Sequence, residues 1–561
     1  SSFDALSSTG HDCIPTFGEV QPDPTSKAFD RSQNLHRFRG HYESDGKPGN
    51  PAAELSDTPD PYPAAKQGHR LFFPSARPEL EPASLAWVGG PVYFAISRFD
   101  RISLPNQRHR EVNMARETVE TSRPLYKIGM KYDVRVSMRD GVELSTDVYL
   151  PDVDQPVPAI LIRTPYDNNA EGTVKDCMYY ASRGYAVVAQ DVRGRWDSEG
   201  DWYPFKNEAQ DGYDTQEWLG SQTWCGGNVG TAGGSYVAMV QWQSAPLRSR
   251  YLKAMVPRVG YSNFYHNWAY TGGAFQLGFN LRWAAIQMHT RTNQVQYLWF
   301  PEESHLSNLH WHLPLIDVDE AAGRNNRIWK DWIEHPSYDD YWRSFPPVEE
   351  NYSEIAVPVY GMGGWYDVFL QGTLNNFMGV RKHGREPGKS AQKVVIGPWV
   401  HNLGNSGVET TTGDVDFGER VRLDLMNEHL RWFDYWLKGV DNGVMSEPPV
   451  NVFVMGANEW RSSSDWPIPD TRYVPYYLHG EGNANSSFGD GWLDTEMPLS
   501  EKVDHFIYDP KNPVMTVGGS TCCSENVTPV SMGPRNQASL EWRPDILVYT
   551  SRILEEDLEV T

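Results

Sequence analysis

The sequence predicts an α/β fold organised around a parallel sheet, and three features carry that expectation. Short apolar runs at Ala159–Arg163 and Tyr185–Asp191 flank a helical stretch over Lys175–Arg183 that Gly184 stops. Strand, helix, glycine stop and buried strand make a βαβ unit, whose two strands run parallel. Apolar β-type runs return at Ala356–Met362 and Lys393–Ile396 after a long interruption, and beyond Pro448 the pattern is all β.

In chain order, residues 1–124 read as an extension, mostly irregular, because ten prolines fall between Gln21 and Pro82 with no helical periodicity. Phe72, Phe73, Trp87, Tyr93 and Phe94 would dock it onto a neighbouring surface. Residues 125–260 form the first part of the core. There Tyr132–Met138 and Val142–Tyr149 are β-rich and joined by Arg139-Asp140-Gly141, a hairpin signal. Asp211–Leu219 reads as a helix, Asn228–Ala232 as a strand and Met239–Ala245 as a helix. Residues 261–354 read as a helical insertion between core strands, with helical spacing at Phe275, Phe279, Trp283 and Ile286. Residues 355–445 complete the core and close on a helix over Leu423–Leu437, stopped by Gly439. Residues 446–561 supply β runs at Val450–Met455, Arg472–Leu478, His505–Tyr508 and Ile546–Thr550.

Composition excludes several classes of function. The 561 residues carry 73 Asp+Glu against 50 Lys+Arg, a net charge of −23, which argues against nucleic-acid and anionic-membrane partners. No apolar run reaches the ~18 residues of a transmembrane helix. The five cysteines (Cys13, Cys177, Cys225, Cys522, Cys523) are odd in number and form no CxxC pair, so neither a disulfide scaffold nor a structural zinc site is expected. Few cysteines and no visible signal lean towards the cytoplasm; a start at Ser1 leaves a removed signal peptide open.

The sharpest local signal is the stretch Gly230–Ala238, where a β run meets Gly233-Gly234-Ser235-Tyr236 and a helix follows. Such a tight strand-to-helix turn can lift a serine hydroxyl above a sheet as a nucleophile. A serine is inert without a base, and the base needs an orienting carboxylate. Asp367, in GMGGWYD, and His401, in IGPWVH, each follow a core strand and come in the order Ser, Asp, His. A rival reading is a metal site at His305, His310 and His312 with Asp317 and Asp319, if the histidines alternate on a strand. No metal and no other cofactor is expected.

With these motifs in place the sequence resembles the cocaine esterase / X-prolyl dipeptidyl peptidase superfamily of serine hydrolases over roughly residues 129–561. The resemblance rests on RTPYD at Arg163–Asp167, DVRGRWDSEG at Asp191–Gly200, GGSY at Gly233–Tyr236 and QWQSA at Gln241–Ala245. GWYD at Gly364–Asp367, GPWVH at Gly397–His401, WFDYWLKG at Trp432–Gly439 and YDPKNPV at Tyr508–Val514 extend it. It implies an α/β-hydrolase core with an inserted helical cap and a C-terminal β jelly-roll domain. It implies Ser235 as nucleophile, Asp367 as orienting acid and His401 as general base and acid, with an oxyanion hole from the Tyr166 hydroxyl and the Tyr236 N–H. Trp268, Trp283 and Phe369 fall where the family's cap and pocket aromatics surround the acyl group. Ala238 departs from the pattern, standing where members often carry glycine. Asp367 is followed by Val368, Phe369, Leu370 and Gln371, without the acids that hold a substrate ammonium in α-amino acid ester hydrolases. That branch is disfavoured.

The expected function is cleavage of a small-molecule carboxylic ester, or an amide, through an acyl-enzyme on Ser235. An X-prolyl-type dipeptidyl peptidase, an acyltransferase or a non-catalytic binding protein of the same fold are the alternatives. The jelly roll looks incomplete at LEEDLEVT, so either the natural chain continues or another segment or subunit is expected to complete its sheet. A homo-oligomer is one such arrangement.

Overall fold

The structure is a computed structural model that describes residues 92–97, 121–292, 308–402, 409–500, 502–522 and 531–560. Most of the expected extension, including Phe72, Phe73 and Trp87, lies outside these residues. Val92–Ser97 forms strand β1. The core strands follow as β2 (Ile128–Ser137), β3 (Glu143–Pro151), β4 (Val157–Thr164), β5 (Ala186–Asp191), β6 (Cys225–Gly234) and β7 (Leu252–Arg258). Short strands β8 (Tyr270–Thr271) and β9 (Ala274–Phe275) lie in the cap; β10 (Val359–Tyr366) and β11 (Gln392–Val400) return to the core. Beyond them come β12 (Thr411–Thr412), β13 (Val415–Asp416), β14 (Val450–Val454) and β15 (Glu459–Ser463). The last are β16 (Arg472–His479), β17 (Trp492–Asp494), β18 (Thr550–Ser551) and β19 (Glu559–Val560).

Ten strands form one sheet in the order β15-β14-β11-β10-β7-β6-β4-β5-β3-β2. From β5 across to β14 neighbouring strands run parallel, and antiparallel pairs close both sides. Helices α1 (Glu171–Ala181), α2 (Glu208–Gly220) and α3 (Tyr236–Ser244) make the crossovers between β4, β5, β6 and β7. Every residue of β5 is buried, as a strand covered on both faces requires. The helix Leu425–Lys438 packs its apolar stripe on this sheet; the Asp424 side chain caps its start and Gly439, at φ 73°, ends it. The residues that follow β4, β6, β10 and β11 therefore meet at one edge of the sheet.

Several expectations need correction. The sequence reading passes over β7, which Lys253 and Pro257 disguise. Val450–Val454, grouped above with the C-terminal β region, pairs parallel with β11 and so extends the main sheet. His505–Tyr508 is not a strand: the His505 carbonyl accepts from the Asn485 side chain, and Phe506, Ile507 and Tyr508 are exposed. Over Ile546–Thr550 only the end of the run, at β18, is strand, with a single bridge from Leu547 to Asn485. Phe275 sits in β9 rather than in a helix, and helical structure, broken after Tyr265–Ala269, resumes at Leu277.

The C-terminal region contributes β16 to β19 to a five-stranded sheet whose order is β18-β17-β16-β1-β19. Its fourth position is filled by β1, which lies between β16 and β19 and pairs antiparallel with both (Val92 opposite Tyr476, Ile96 opposite Val560). Among the described residues no helix is long and apolar enough to cross a membrane. Cys177 and Cys225 are free and buried, and Cys522 is disulfide-bonded; Cys13 and Cys523 lie outside the described residues.

Candidate active site

Where β6 meets α3 the backbone turns tightly. Gly233 has φ +139°, and a Cβ placed there would stand 2.1 Å from Val237 Cγ1, so only glycine lets strand and helix approach this closely. The turn leaves Ser235 at φ 58°, ψ −128°, a conformation that side-chain-bearing residues rarely adopt. Its N–H donates to the Arg258 carbonyl at 3.0 Å, which ties the strained residue to the end of β7. Tyr236 opens α3, so its N–H is one that a helix leaves without an internal acceptor. The Ala238 methyl is buried against Gly260, where an added Cβ would come within 3.2 Å of it. A glycine on the facing segment makes room for the methyl that α3 carries.

Tyr166 follows β4, and its hydroxyl lies within hydrogen-bonding reach of the Ser235 side chain. Trp283 of the cap donates its indole N–H to the same oxygen at 3.1 Å. An indole N–H can only donate, so it occupies a lone pair of the Tyr166 oxygen and leaves the phenolic proton free to be given elsewhere. Burial raises the Tyr166 pKa; the hydrogen bonds from Trp283 and Ser235 and the charges of Arg195 and Arg282 oppose that rise. Arg195 is buried, donates through Nε to the Pro165 carbonyl at 2.9 Å and lies 5.1 Å from the Trp202 ring. It thereby holds the turn that presents Tyr166.

Asp367 and His401 follow β10 and β11, both buried, with His401 Nδ1 2.7 Å from Asp367 Oδ1. The Phe369 ring meets His401 edge-on at 5.2 Å and stacks on Trp268 at 5.0 Å, and Trp268 meets Trp283 at 4.8 Å. Contact therefore runs unbroken from Ser235 through Tyr166, Trp283, Trp268 and Phe369 to His401 and Asp367. Among the described residues no hydrogen bond joins Ser235 to His401; the serine's neighbour is Tyr166. Of the rival metal set, His305 lies outside the described residues, residues 308–310 are helical rather than extended, and His312 is half-buried and outside any strand. Among the described residues no group of three or more His, Cys, Asp or Glu is placed to hold a metal.

Sequence reasoning misses the support behind this layer. Phe205, at φ 62°, stacks on Tyr236 at 4.2 Å and packs against Trp268 at 5.0 Å. Buried Glu208 accepts from the Tyr236 hydroxyl at 2.8 Å and from Arg163 Nη1 at 2.8 Å, while Arg163 Nε donates to Gln190 at 2.8 Å. Arg163 opens the RTPYD motif and could have been flagged as a buried cation needing a partner. Glu208, 45 positions away, carries no such mark. Cys522 packs into the same aromatic cluster from the C-terminal region.

Comparison with known proteins identifies the family. Residues 140–402 match the X-Pro dipeptidyl-peptidase (S15 family) model, and residues 442–561 match the X-Pro dipeptidyl-peptidase C-terminal non-catalytic domain. The cocaine esterase of Rhodococcus sp. (strain MB1 Bresler) is 34% identical over 454 residues, covering 76% of this chain and 75% of its own. An aminopeptidase structure from a marine-sediment Thaumarchaeota archaeon is 25% identical with TM-score 0.57, covering 70% of this chain and 67% of its own. An α-amino acid ester hydrolase structure, 22% identical with TM-score 0.62 and covering 80% of this chain and 76% of its own, shares the fold. The chain belongs to the cocaine esterase / X-prolyl dipeptidyl peptidase (CocE/NonD) superfamily of serine hydrolases, and it is a carboxylic-ester hydrolase.

Proposed function

We propose that the enzyme cleaves small-molecule carboxylic esters through an acyl-enzyme formed on Ser235. The observation that supports this most is the strained Ser235 beside the Tyr166 hydroxyl, on the same sheet edge as the Asp367–His401 pair. With Asp367 accepting from Nδ1, His401 keeps Nε2 as the acceptor for the serine proton. Ser235 Oγ then attacks the carbonyl carbon, and its proton passes to His401. The oxyanion of the tetrahedral intermediate is held by the Tyr166 hydroxyl and the Tyr236 N–H, and each such donor supplies on the order of 10²–10³ in rate. His401 returns the proton to the leaving alkoxide as the C–O bond breaks. Water, deprotonated by His401, then cleaves the acyl-enzyme and restores the Ser235 hydroxyl. Trp268, Trp283 and Phe369 wall the acyl side and exclude bulk water.

The match to the X-Pro dipeptidyl-peptidase model supports a second reading, cleavage of X-Pro amides by the same residues. Labelling with a fluorophosphonate tests the first. The wild type is expected to be modified at Ser235 and the Ser235→Ala variant not at all; an unlabelled wild type overturns the mechanism. A panel of acyl esters against X-Pro anilides then separates esterase from peptidase by kcat/KM.

A further inference from the structure

Trp283 of the cap touches both residues that the Ser235 reading gives to the oxyanion hole. Its indole N–H donates to the Tyr166 hydroxyl at 3.1 Å, and its ring stacks over the Tyr236 ring at 6.2 Å. The two tyrosines meet edge-on at 6.4 Å, so one cap side chain braces a residue that follows β4 and another that opens α3. The indole is itself held. It is buried, lies almost parallel to Trp332 at 6.0 Å and meets Trp268 edge-on at 4.8 Å. A few residues on, the cap is tied to the loop that follows β5. There the Met288 carbonyl accepts from the Trp202 indole at 2.7 Å, the Thr290 carbonyl from Arg195, and the Arg291 carbonyl from the Trp196 N–H at 2.8 Å. The same loop holds the Tyr166 turn, because Arg195 Nε and Trp196 Nε1 both donate to the Pro165 carbonyl, at 2.9 and 3.2 Å. Lining an acyl pocket asks only for a ring. It does not ask for an N–H placed on Tyr166.

Resting on the Ser235 reading above, we propose that Trp283 is a positioning residue for the oxyanion hole, acting through Tyr166 on the transition state as well as lining the acyl pocket. An indole N–H cannot accept, so it takes a lone pair of the Tyr166 oxygen and turns the phenolic proton away from the cap, towards Ser235. Donation into a hydroxyl also polarises it, and the O–H that Tyr166 presents is a stronger donor than that of a tyrosine without the indole. Burial raises the Tyr166 pKa and the indole hydrogen bond opposes that rise, which is the same effect expressed as acidity. The benefit is greatest once negative charge has formed on the substrate oxygen, so it belongs to kcat rather than to ground-state binding. The core supplies the nucleophile and both donors, and the cap aims one of them.

The test is a double-mutant cycle between positions 166 and 283. Trp283→3-benzothienylalanine puts sulfur in place of the indole N–H and keeps both rings, so stacking and cap packing survive. It is measured with and without Tyr166→Phe on 4-nitrophenyl acetate and 4-nitrophenyl benzoate. With Tyr166 present the replacement is expected to lower kcat about five- to tenfold, the scale of one neutral hydrogen bond, equally on both esters and with KM little changed. In the Tyr166→Phe background it is expected to cost nothing, because the acceptor is gone. A loss that persists undiminished there would overturn the proposal. So would a loss that falls on KM and grows from acetate to benzoate, which marks a pocket wall and nothing more. An unchanged kcat with Tyr166 present would do the same. Fluorophosphonate labelling run alongside keeps the two readings apart: labelled Ser235 with additive losses rejects only the role of Trp283, whereas an unlabelled wild type rejects the Ser235 reading itself.

Discussion

Asp191 ends β5, and its carboxylate is the buried acceptor for the Asn168 N–H at 2.8 Å, two residues beyond Tyr166. Burial raises its pKa to about 8, the Asn168 hydrogen bond opposing the rise. In the unfolded chain the same group titrates near ~3.9. Folded protein thus keeps a proton that unfolded chain gives up, so this group lowers stability progressively as pH rises from about 4 to its folded pKa and adds no further slope above it. Asp191→Asn removes the titration but keeps an oxygen for Asn168. The variant's advantage in Tm over wild type is expected to grow between pH 4 and pH 8; a pH-independent difference would show that Asp191 is ionised throughout. At this scale the sequence marks Ser235, Asp367, His401 and Tyr166 because each sits in a short motif of its own. It marks Asp191 only as the first residue of DVRGRWDSEG and says nothing of its titration, which comes from what surrounds it.

The nucleophile turn shows how an element imposes its own composition. Gly233 is required by the approach of Val237, and the strain at Ser235 is offset by the ladder to β7 and the helix that starts at once. Ala238 is tolerated because its facing residue is Gly260, a contact no reading of α3 alone predicts. Ala238→Gly is expected to lower stability by about 1 kcal/mol, the helix-propensity difference, as read from the urea midpoint. A gain in stability would mean instead that the methyl crowds the turn. The cap illustrates the opposite case. Its aromatic spacing announces helices, yet Phe275 joins a two-residue strand and the segment around Trp283 winds more loosely than an α-helix. Burying so many large rings together dictates that winding more than intrinsic propensity does.

Across the whole molecule, one buried carboxylate joins distant stretches of chain. Asp434 accepts from the Tyr185 hydroxyl and Ser122 Oγ at 2.6 Å and from the Ser122 N–H at 2.8 Å, with Lys438 Nζ 3.3 Å away. Lys438 in turn donates to Ser122 Oγ and the Arg183 carbonyl, each at 2.7 Å. Asp434→Asn is expected to cost about 3–5 kcal/mol, because it leaves the Lys438 charge without its partner and sets an amide N–H₂ against donors. Chemical unfolding checks it, and a loss under about 1 kcal/mol would mean that water reaches the cluster. The WFDYWLKG motif containing both residues is visible in the sequence, but its partner Ser122, 312 positions away, is not.

By itself the sequence determined the parallel α/β core, the inserted cap and the placement of Ser235, Asp367 and His401 each after a core strand. These follow from local periodicity and from motifs whose geometry is set within a few residues. Tertiary structure alone decided the rest. It placed β14 in the main sheet, put β1 inside the C-terminal sheet and paired Glu208 with Tyr236. Strand pairing and ion pairing depend on which distant segments burial brings together, and no local pattern in the chain records that.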